Sequence, residues 1–257
     1  MFRNIYPVFE IKRLLKKEML ENLRDYPRNL FRIQCQGYCD GVLWGCDLEA
    51  SDNGLKVLPG ILCYKGIPYF QEEPCMVPCK ANGKEAYLKV RFLDKTIGAE
   101  QEEYLSQVYA DEQAPEPNYE LELGRFKLQP GARLRTEYTG FHDYATEFDT
   151  VNRICVPYAA LGRQGIWPQL LKCFAGEMMR LRIQDPWDCA FCLNSLQLRE
   201  AMPYEAVRAY LNVRLGQEGE YTNEQVYNAL KRILREAEGK EERPRRAENK
   251  EKKLLML

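Results

Sequence analysis

Two neighbouring stretches decide the fold class: Gly41-Val42-Leu43-Trp44-Gly45-Cys46-Asp47-Leu48-Glu49, and Asn53-Gly54-Leu55-Lys56-Val57-Leu58-Pro59-Gly60-Ile61-Leu62-Cys63-Tyr64-Lys65-Gly66-Ile67-Pro68-Tyr69. Each apolar run is only a few residues long and rich in β-branched and aromatic side chains. Each is closed by Gly, Pro or Asn, the pattern of short strands joined by tight turns. Asn53-Gly54 is read as a hairpin turn because both residue types tolerate positive φ. Phe31 and Ile33 are read with this β-prone region, which gives a compact antiparallel sheet.

Downstream, strands are expected at Ala86 to Phe92, Tyr119 to Lys127, Ala132 to Tyr138 and Arg153 to Val156. The Glu100 to Tyr109 segment between them reads as polar connection, and Ala114-Pro115-Glu116-Pro117 as a stiff extended link. So many strands need two facing sheets or a closed one to hide their apolar sides, so a β-sandwich-like shell is expected. Upstream, Val8 to Leu23 carries Ile11, Leu14, Leu15, Met19, Leu20 and Leu23 near helical spacing, with lysines and arginines available for a wet face. It reads as an amphipathic helix or an arm. It would pack on the protein's own sheet or against a neighbour, with a membrane surface as the alternative.

The pattern turns helical near Pro157. Leu170, Leu171, Phe174, Met178 and Leu181 recur at helical spacing after Pro168, which suits a first helical turn. Asp185-Pro186 starts a segment from Trp187 to Leu198, and Pro203 another with Val207, Tyr210 and Leu211. Thr222 with Gln225 caps a last helix bearing Val226, Tyr227, Leu230, Ile233 and Leu234. The expected organisation is α+β: an arm or helix over 1–29, a β-rich shell over 30–160, a small helical bundle over 161–238 and a charged tail over 239–257. Leu254-Leu255-Met256-Leu257 closes that tail, either as part of a disordered segment or as a short anchor.

Composition narrows the function. Lys and Arg total 37 against 38 Asp and Glu, so no global field favours nucleic acid. No apolar run has the length of a membrane span, and the start lacks the apolar core of a signal peptide; together with the chain's size these favour free thiols in a reducing cytosol. The ten cysteines include the spaced pairs Cys35/Cys39, Cys75/Cys79 and Cys189/Cys192. Small apolar packing is their plain reading; Cys35, Cys39, Cys75 and Cys79 at a structural zinc, or redox work, are the alternatives. His142 is the single histidine, and no nucleophile and oriented partner can be placed beside it, so it reads as a surface or strand-end residue. No phosphate-binding glycine motif appears, and no cofactor is expected.

The quoted Gly41 to Tyr69 pattern resembles the attachment modules of tailed-phage baseplate and receptor-binding proteins, whose glycines permit sharp reversals and close strand approach. Pro7-Val8-Phe9 with the apolar-basic segment after it, Tyr119-Glu120-Leu121-Glu122-Leu123-Gly124-Arg125-Phe126 as a late shell strand, and Val156-Pro157 as the passage to a helical part are similar to the type VI secretion baseplate subunit K family, over about residues 5 to 237. The chain departs from that family in lacking a tryptophan-rich opening. Its charged tail also stands where a membrane-complex-binding domain would be.

The resemblance implies a non-enzymatic baseplate adaptor: a shell attaching to wedge-like proteins, a helical part supporting dimers or trimers, and a cytoplasmic site, free or within a phage-like particle. Trp44, Tyr64 and Tyr69 are the candidates for sheet architecture or attachment, and Leu170, Phe174, Val226 and Leu230 for helical packing. Two rivals remain open. One is a carbohydrate-binding or hydrolytic accessory protein with an aromatic and acidic cleft; the other is a zinc-stabilised nucleic-acid-binding module.

Overall fold

The structure is a computed structural model and describes residues 4–98 and 102–239. The architecture is mixed α+β, with a β-rich region first and a helical bundle after it. Strands β1 (Gly41–Gly45), β4 (Gly60–Tyr64) and β5 (Ile67–Gln71) form one antiparallel sheet in the order β1-β4-β5. A second joins β2 (Leu48–Ser51), β3 (Gly54–Val57) and β6 (Cys75–Pro78), and a third places β7 (Glu85–Phe92) between β10 (Ser106–Asp111) and β11 (Glu120–Lys127). A two-stranded ladder, β8 (Thr96–Ile97) with β9 (Glu102–Glu103), completes the strands among the described residues.

The hairpin after β2 sits one residue earlier than the sequence suggests. Ser51 pairs with Gly54, so Asp52 and Asn53 make the loop and Gly54 already belongs to β3. Gly54 has φ +138°, and a Cβ there would lie 2.1 Å from the Val77 carbonyl, so the sheet itself demands glycine. Gly60 is required in the same way, because a Cβ would stand 2.3 Å from the Cys46 amide where β4 begins against the end of β1. In β1, the register shifts between Val42 and Trp44. Alternation already sets Leu43 on the outer face opposite Val42, and the extra residue lets Trp44 join it there, opposite Ile61.

Several sequence expectations need correction. The N-terminal helix, α1, runs Lys17–Gln34, so it begins and ends later than the Val8 to Leu23 pattern indicated and takes in Phe31 and Ile33. Nothing in the earlier part caps a helix start, and Lys12 has φ 71°, which breaks a right-handed path. Ala132 to Tyr138 and Arg153 to Val156 are not strands: the first is irregular chain held by the single bridge of Arg135 to Thr150, and the second is a turn in which the Val156 amide donates to the Arg153 carbonyl at 3.2 Å. Conversely, β10 was hidden in the segment read as polar connection. It pairs along β7, and polar Ser106 and Gln107 lie exposed where β-propensity gives no signal.

In the helical half, α2 (Pro168–Arg180) starts with Pro at its first position, and Asp185 caps α3 (Pro186–Leu196) by accepting from the Trp187 and Asp188 amides. Pro203 precedes α4 (Tyr204–Leu215), which ends at Gly216 in the left-handed region. Thr222 and Gln225 form the expected reciprocal cap of α5 (Asn223–Ala237).

The two halves share one hydrophobic core. It passes from Leu55, Leu88, Val90 and Leu123 through Phe141 and Val156 to Leu170, Phe174, Leu211 and Leu230. The connection is also covalently short and well bonded. Val42 donates to the Pro157 carbonyl and accepts from Ala159, both at 2.8 Å, so the chain leaving the sheets lies along the free edge of β1 before entering α2. A 3-10 turn at Phe141–Ala145 is clamped onto the bundle: Phe141 meets Phe174 edge-on and Tyr227 at a tilt, and the Tyr227 hydroxyl donates to the Phe141 carbonyl at 3.0 Å. Asn223 at the start of α5 donates to the Val156 and Gly165 carbonyls, tying the last helix to the same joint.

Candidate interaction surface

The β1-β4-β5 sheet has two faces with different coverings. Val42, Leu62, Tyr64 and Tyr69 turn into the main core, whereas Leu43, Ile61 and Cys63 form a small outer cluster with Ala159, covered by Phe31, Cys35 and Tyr38. Phe31 and Cys35 lie one helical turn apart, so they are the edge by which α1 rests on the sheet. Phe31 meets Trp44 and Phe70, each with ring centroids 6.1 Å away. Trp44 remains 39% exposed and Phe70 61%.

The rest of α1 faces away from the sheet. None of its residues is buried, and Met19, Leu23, Tyr26, Leu30 and Ile33 follow one another at intervals of four, three, four and three. At about 100° per residue this is one stripe, roughly a third of a turn round the helix from Phe31. Its members Leu23, Tyr26, Leu30 and Ile33 are all about half exposed or more, and the apolar series continues backward through exposed Leu15, Leu14, Ile11, Phe9 and Val8. An 18-residue helix gains little stability in water from its own hydrogen bonds, and among the described residues this apolar stripe stays largely uncovered.

The candidate residues from the sequence separate clearly. Trp44 sits at the outer aromatic cluster. Tyr64 and Tyr69 instead pack around Phe92, with Tyr64 stacked on it at 3.8 Å, and so shape the sheet from within. Leu170, Phe174, Val226 and Leu230 are buried in the shared core. The sequence reading missed Phe70 and placed Phe31 in a strand. The signal for Phe70 was an aromatic directly after Tyr69, which alternation must send to the opposite face.

At the junction of β1 with α2 lies an open pocket of about 380 Å³. Its deepest polar group is Arg153, whose side chain is 2% exposed. Arg153 Nη1 donates to Asp47 at 3.1 Å, and Nη2 donates to the Cys46 carbonyl at 3.1 Å and to the Tyr158 hydroxyl oxygen at 2.7 Å; Nε has no hydrogen-bond partner. The guanidinium lies 4.5 Å from the centroid of Trp167. Burial opposes its charge, yet Tyr158 and Asp47 hold its pKa above the ordinary arginine value. Burial pushes the neighbouring Tyr138 hydroxyl up to about 12 despite Arg153 and Arg135, so it stays neutral and donates to the Val151 carbonyl at 2.5 Å.

Trp44, Trp167 and Tyr138 wall this pocket, and Lys172, Arg199, Asp47 and Glu200 lie around it. The two carboxylates are engaged, Asp47 with Arg153 and Glu200 accepting from the Tyr38 hydroxyl at 2.8 Å. Each carboxylate thus has one oxygen held by a neighbouring side chain. Sequence had placed Arg153 in a strand; a lone arginine inside the apolar run Val151 to Val156 was the overlooked sign.

Cys35 belongs to the outer cluster beneath α1, whereas Cys75 and Cys79 pack against the main core. Among the described residues no three His, Cys, Asp or Glu side chains gather as a metal site, so the four-cysteine zinc arrangement does not form. Burial raises the thiols of Cys63 and Cys79 to about 11, which leaves them protonated and unreactive at neutral pH. His142 lies half-buried on the 3-10 turn, not at a strand end. No helix among the described residues is long and apolar enough to cross a membrane. The segment Leu254 to Leu257, read as either disordered or a short anchor, lies outside the described residues.

Fold and surface together define a mixed α+β chain with an outward apolar arm. Among solved structures, a crystal structure of TssK is similar over 90% of this chain and 71% of its own, with 10% identity and a TM-score of 0.42. A chain of the type VI secretion system TssK-TssF-TssG baseplate subcomplex is similar over 90% of this chain and 99% of its own, at 9% identity and a TM-score of 0.40. A chain of the type VI secretion baseplate complex covers 91% of this chain and is itself covered to 100%, at 11% identity and a TM-score of 0.28. No family model matches the sequence, and no curated protein does.

Proposed function

We propose that the protein is a non-enzymatic structural adaptor of a phage-like or contractile-injection baseplate. The β-rich part acts as a sandwich-like shell that attaches to wedge-like proteins, and the helical part supports self-association as a dimer or trimer, in the cytoplasm or within a phage-like particle. One observation carries the reading: α1 rests on the outer sheet through Phe31 while its Leu23, Tyr26, Leu30 and Ile33 stripe and the arm before it face outward. Such a surface is useful only when another chain covers it. The Gly41 to Tyr69 motif supplies the baseplate part of the reading, through its resemblance to baseplate attachment modules.

Exposed Leu181, Trp187, Leu193 and Leu196 on the bundle supply apolar area for self-association. The test is affinity purification of the full chain from its native cell after gentle lysis. Recovery of an oligomer together with sheath or wedge-like proteins is the expected result. Repeated recovery as a monomer without them contradicts the adaptor.

A further inference from the structure

The junction pocket carries an unbalanced set of charges. Lys172 and Arg199 stand at its wall, and among the described residues neither makes a hydrogen bond or ion pair, whereas Asp47 and Glu200 are both occupied. Behind them, the buried Arg153 keeps its Nε without a partner. The charged side chains of the wall that have neither a hydrogen bond nor an ion pair among the described residues are therefore both cations, set between the aromatic walls of Trp44, Tyr138 and Trp167.

We propose that this pocket docks a carboxylate-bearing peptide segment of a partner protein, with Lys172 and Arg199 pairing its acidic side chain and Trp44 and Trp167 packing against an apolar neighbour in the same segment. Charge complementarity selects the acid, since charge-assisted bonds from lysine and arginine to carboxylate strengthen in a partly enclosed site. The volume of about 380 Å³ falls at the small end of ligand sites and suits a few side chains. The proposal rests on the adaptor reading, because a structural adaptor is what would meet such a segment.

The test uses the chain's three tryptophans. Trp44 and Trp167 line the pocket, and Trp187, 54% exposed on α3, is an internal control. The full chain is titrated with N-acetyl-Asp-Glu-Phe-Glu-amide, with its uncharged counterpart N-acetyl-Asn-Gln-Phe-Gln-amide, and with inorganic phosphate, following indole N–H resonances. The acidic peptide should move Trp44 and Trp167 saturably and leave Trp187 in place. The uncharged peptide should bind at least tenfold more weakly, as should the acidic peptide to a K172E/R199E variant.

Both substituted residues lie outside the core, and K172Q/R199Q provides a milder second variant with the same expected direction. No saturable shift, equal shifts from both peptides, or unchanged binding by both variants would overturn the proposal. Tighter binding of phosphate than of the acidic peptide would overturn it in favour of a phosphate-bearing ligand. Co-purification with wedge-like proteins is independent of this titration, so an empty pocket on a chain that still recovers its partners sinks the docking site alone.

Discussion

Helices α1 and α5 have similar sequences in one respect and opposite fates. Both are strongly amphipathic, yet α5 buries Val226, Tyr227, Leu230, Ile233 and Leu234 while α1 buries nothing. The difference lies in what surrounds them. Helix α5 closes against α2 and α4 and meets the 3-10 turn through Tyr227, whereas α1 has only the outer face of one sheet and touches it through Phe31 and Cys35. An apolar stripe thus tells that a helix will be covered; whether its own chain covers it depends on what the rest of the fold brings there.

The sharpest way to break this contrast is through polar groups enclosed with α5. Asp188 and Glu236 are both buried beside Arg214, at 3.1 Å in each case, and the Tyr210 hydroxyl donates to Asp188 at 2.8 Å. Arg214→Met takes the only paired cation among the described residues from buried Asp188 and leaves Glu236 with half-exposed Arg232 alone, at 3.2 Å, and should cost about 3–5 kcal/mol in chemical denaturation. The exposed Lys17–Glu21 pair on α1, at 3.3 Å, is its counterpart, and its loss should cost well under about 1 kcal/mol. Equal costs for the two pairs would erase the distinction.

Next in size is the apolar core. Leu230→Ala should destabilise by about 2–5 kcal/mol, since Leu230 is fully buried. Leu23→Ala, at 57% exposure on α1, should stay within about 0.5 kcal/mol in the isolated chain. Equilibrium unfolding of the two variants side by side reads the comparison directly.

A pH titration extends it to the β-rich half. Glu120 is buried against Lys89 at 3.0 Å, and although burial opposes its charge, bonds from Tyr109, the Glu116 amide and Lys89 hold its pKa at about 2. Its folded pKa lies below its unfolded one, near 4.5, so its contribution is complete above pH 4.5 and is lost as pH falls toward 2. The loss should amount to about 3 kcal/mol, and Glu120→Gln should flatten that part of the stability profile. A profile unchanged by the substitution would remove Glu120 from the account.

Much of the bundle was legible because its signals are local. Pro168 suits a first turn whose amide needs no partner, and Asp185 and the Thr222/Gln225 pair satisfy first-turn amides from their side chains, so each marks a helix start locally. The central strands were legible for a similar reason, since Ala86, Leu88, Val90 and Phe92 of β7 and Leu121 and Leu123 of β11 recur at every second position. The failures came where tertiary context decides. Polar β10 is a strand because β7 offers it a ladder, and Arg135 and Asn152 make single bridges because the chain there turns away. The junction pocket was invisible for the same reason: Trp44, Arg153, Lys172 and Arg199 are far apart in sequence and meet only when the chain returns along β1.

The central claim is that α1 is a contact surface awaiting another chain. Hydrogen exchange measured peptide by peptide, on the free chain and on the assembly recovered from the cell, tests it most directly. In the free chain, α5 should exchange slowly and α1 quickly; in the assembly, α1 and the Phe70 end of β5 should become protected while α5 changes little. Rapid exchange of α1 that persists in the assembly would contradict the account.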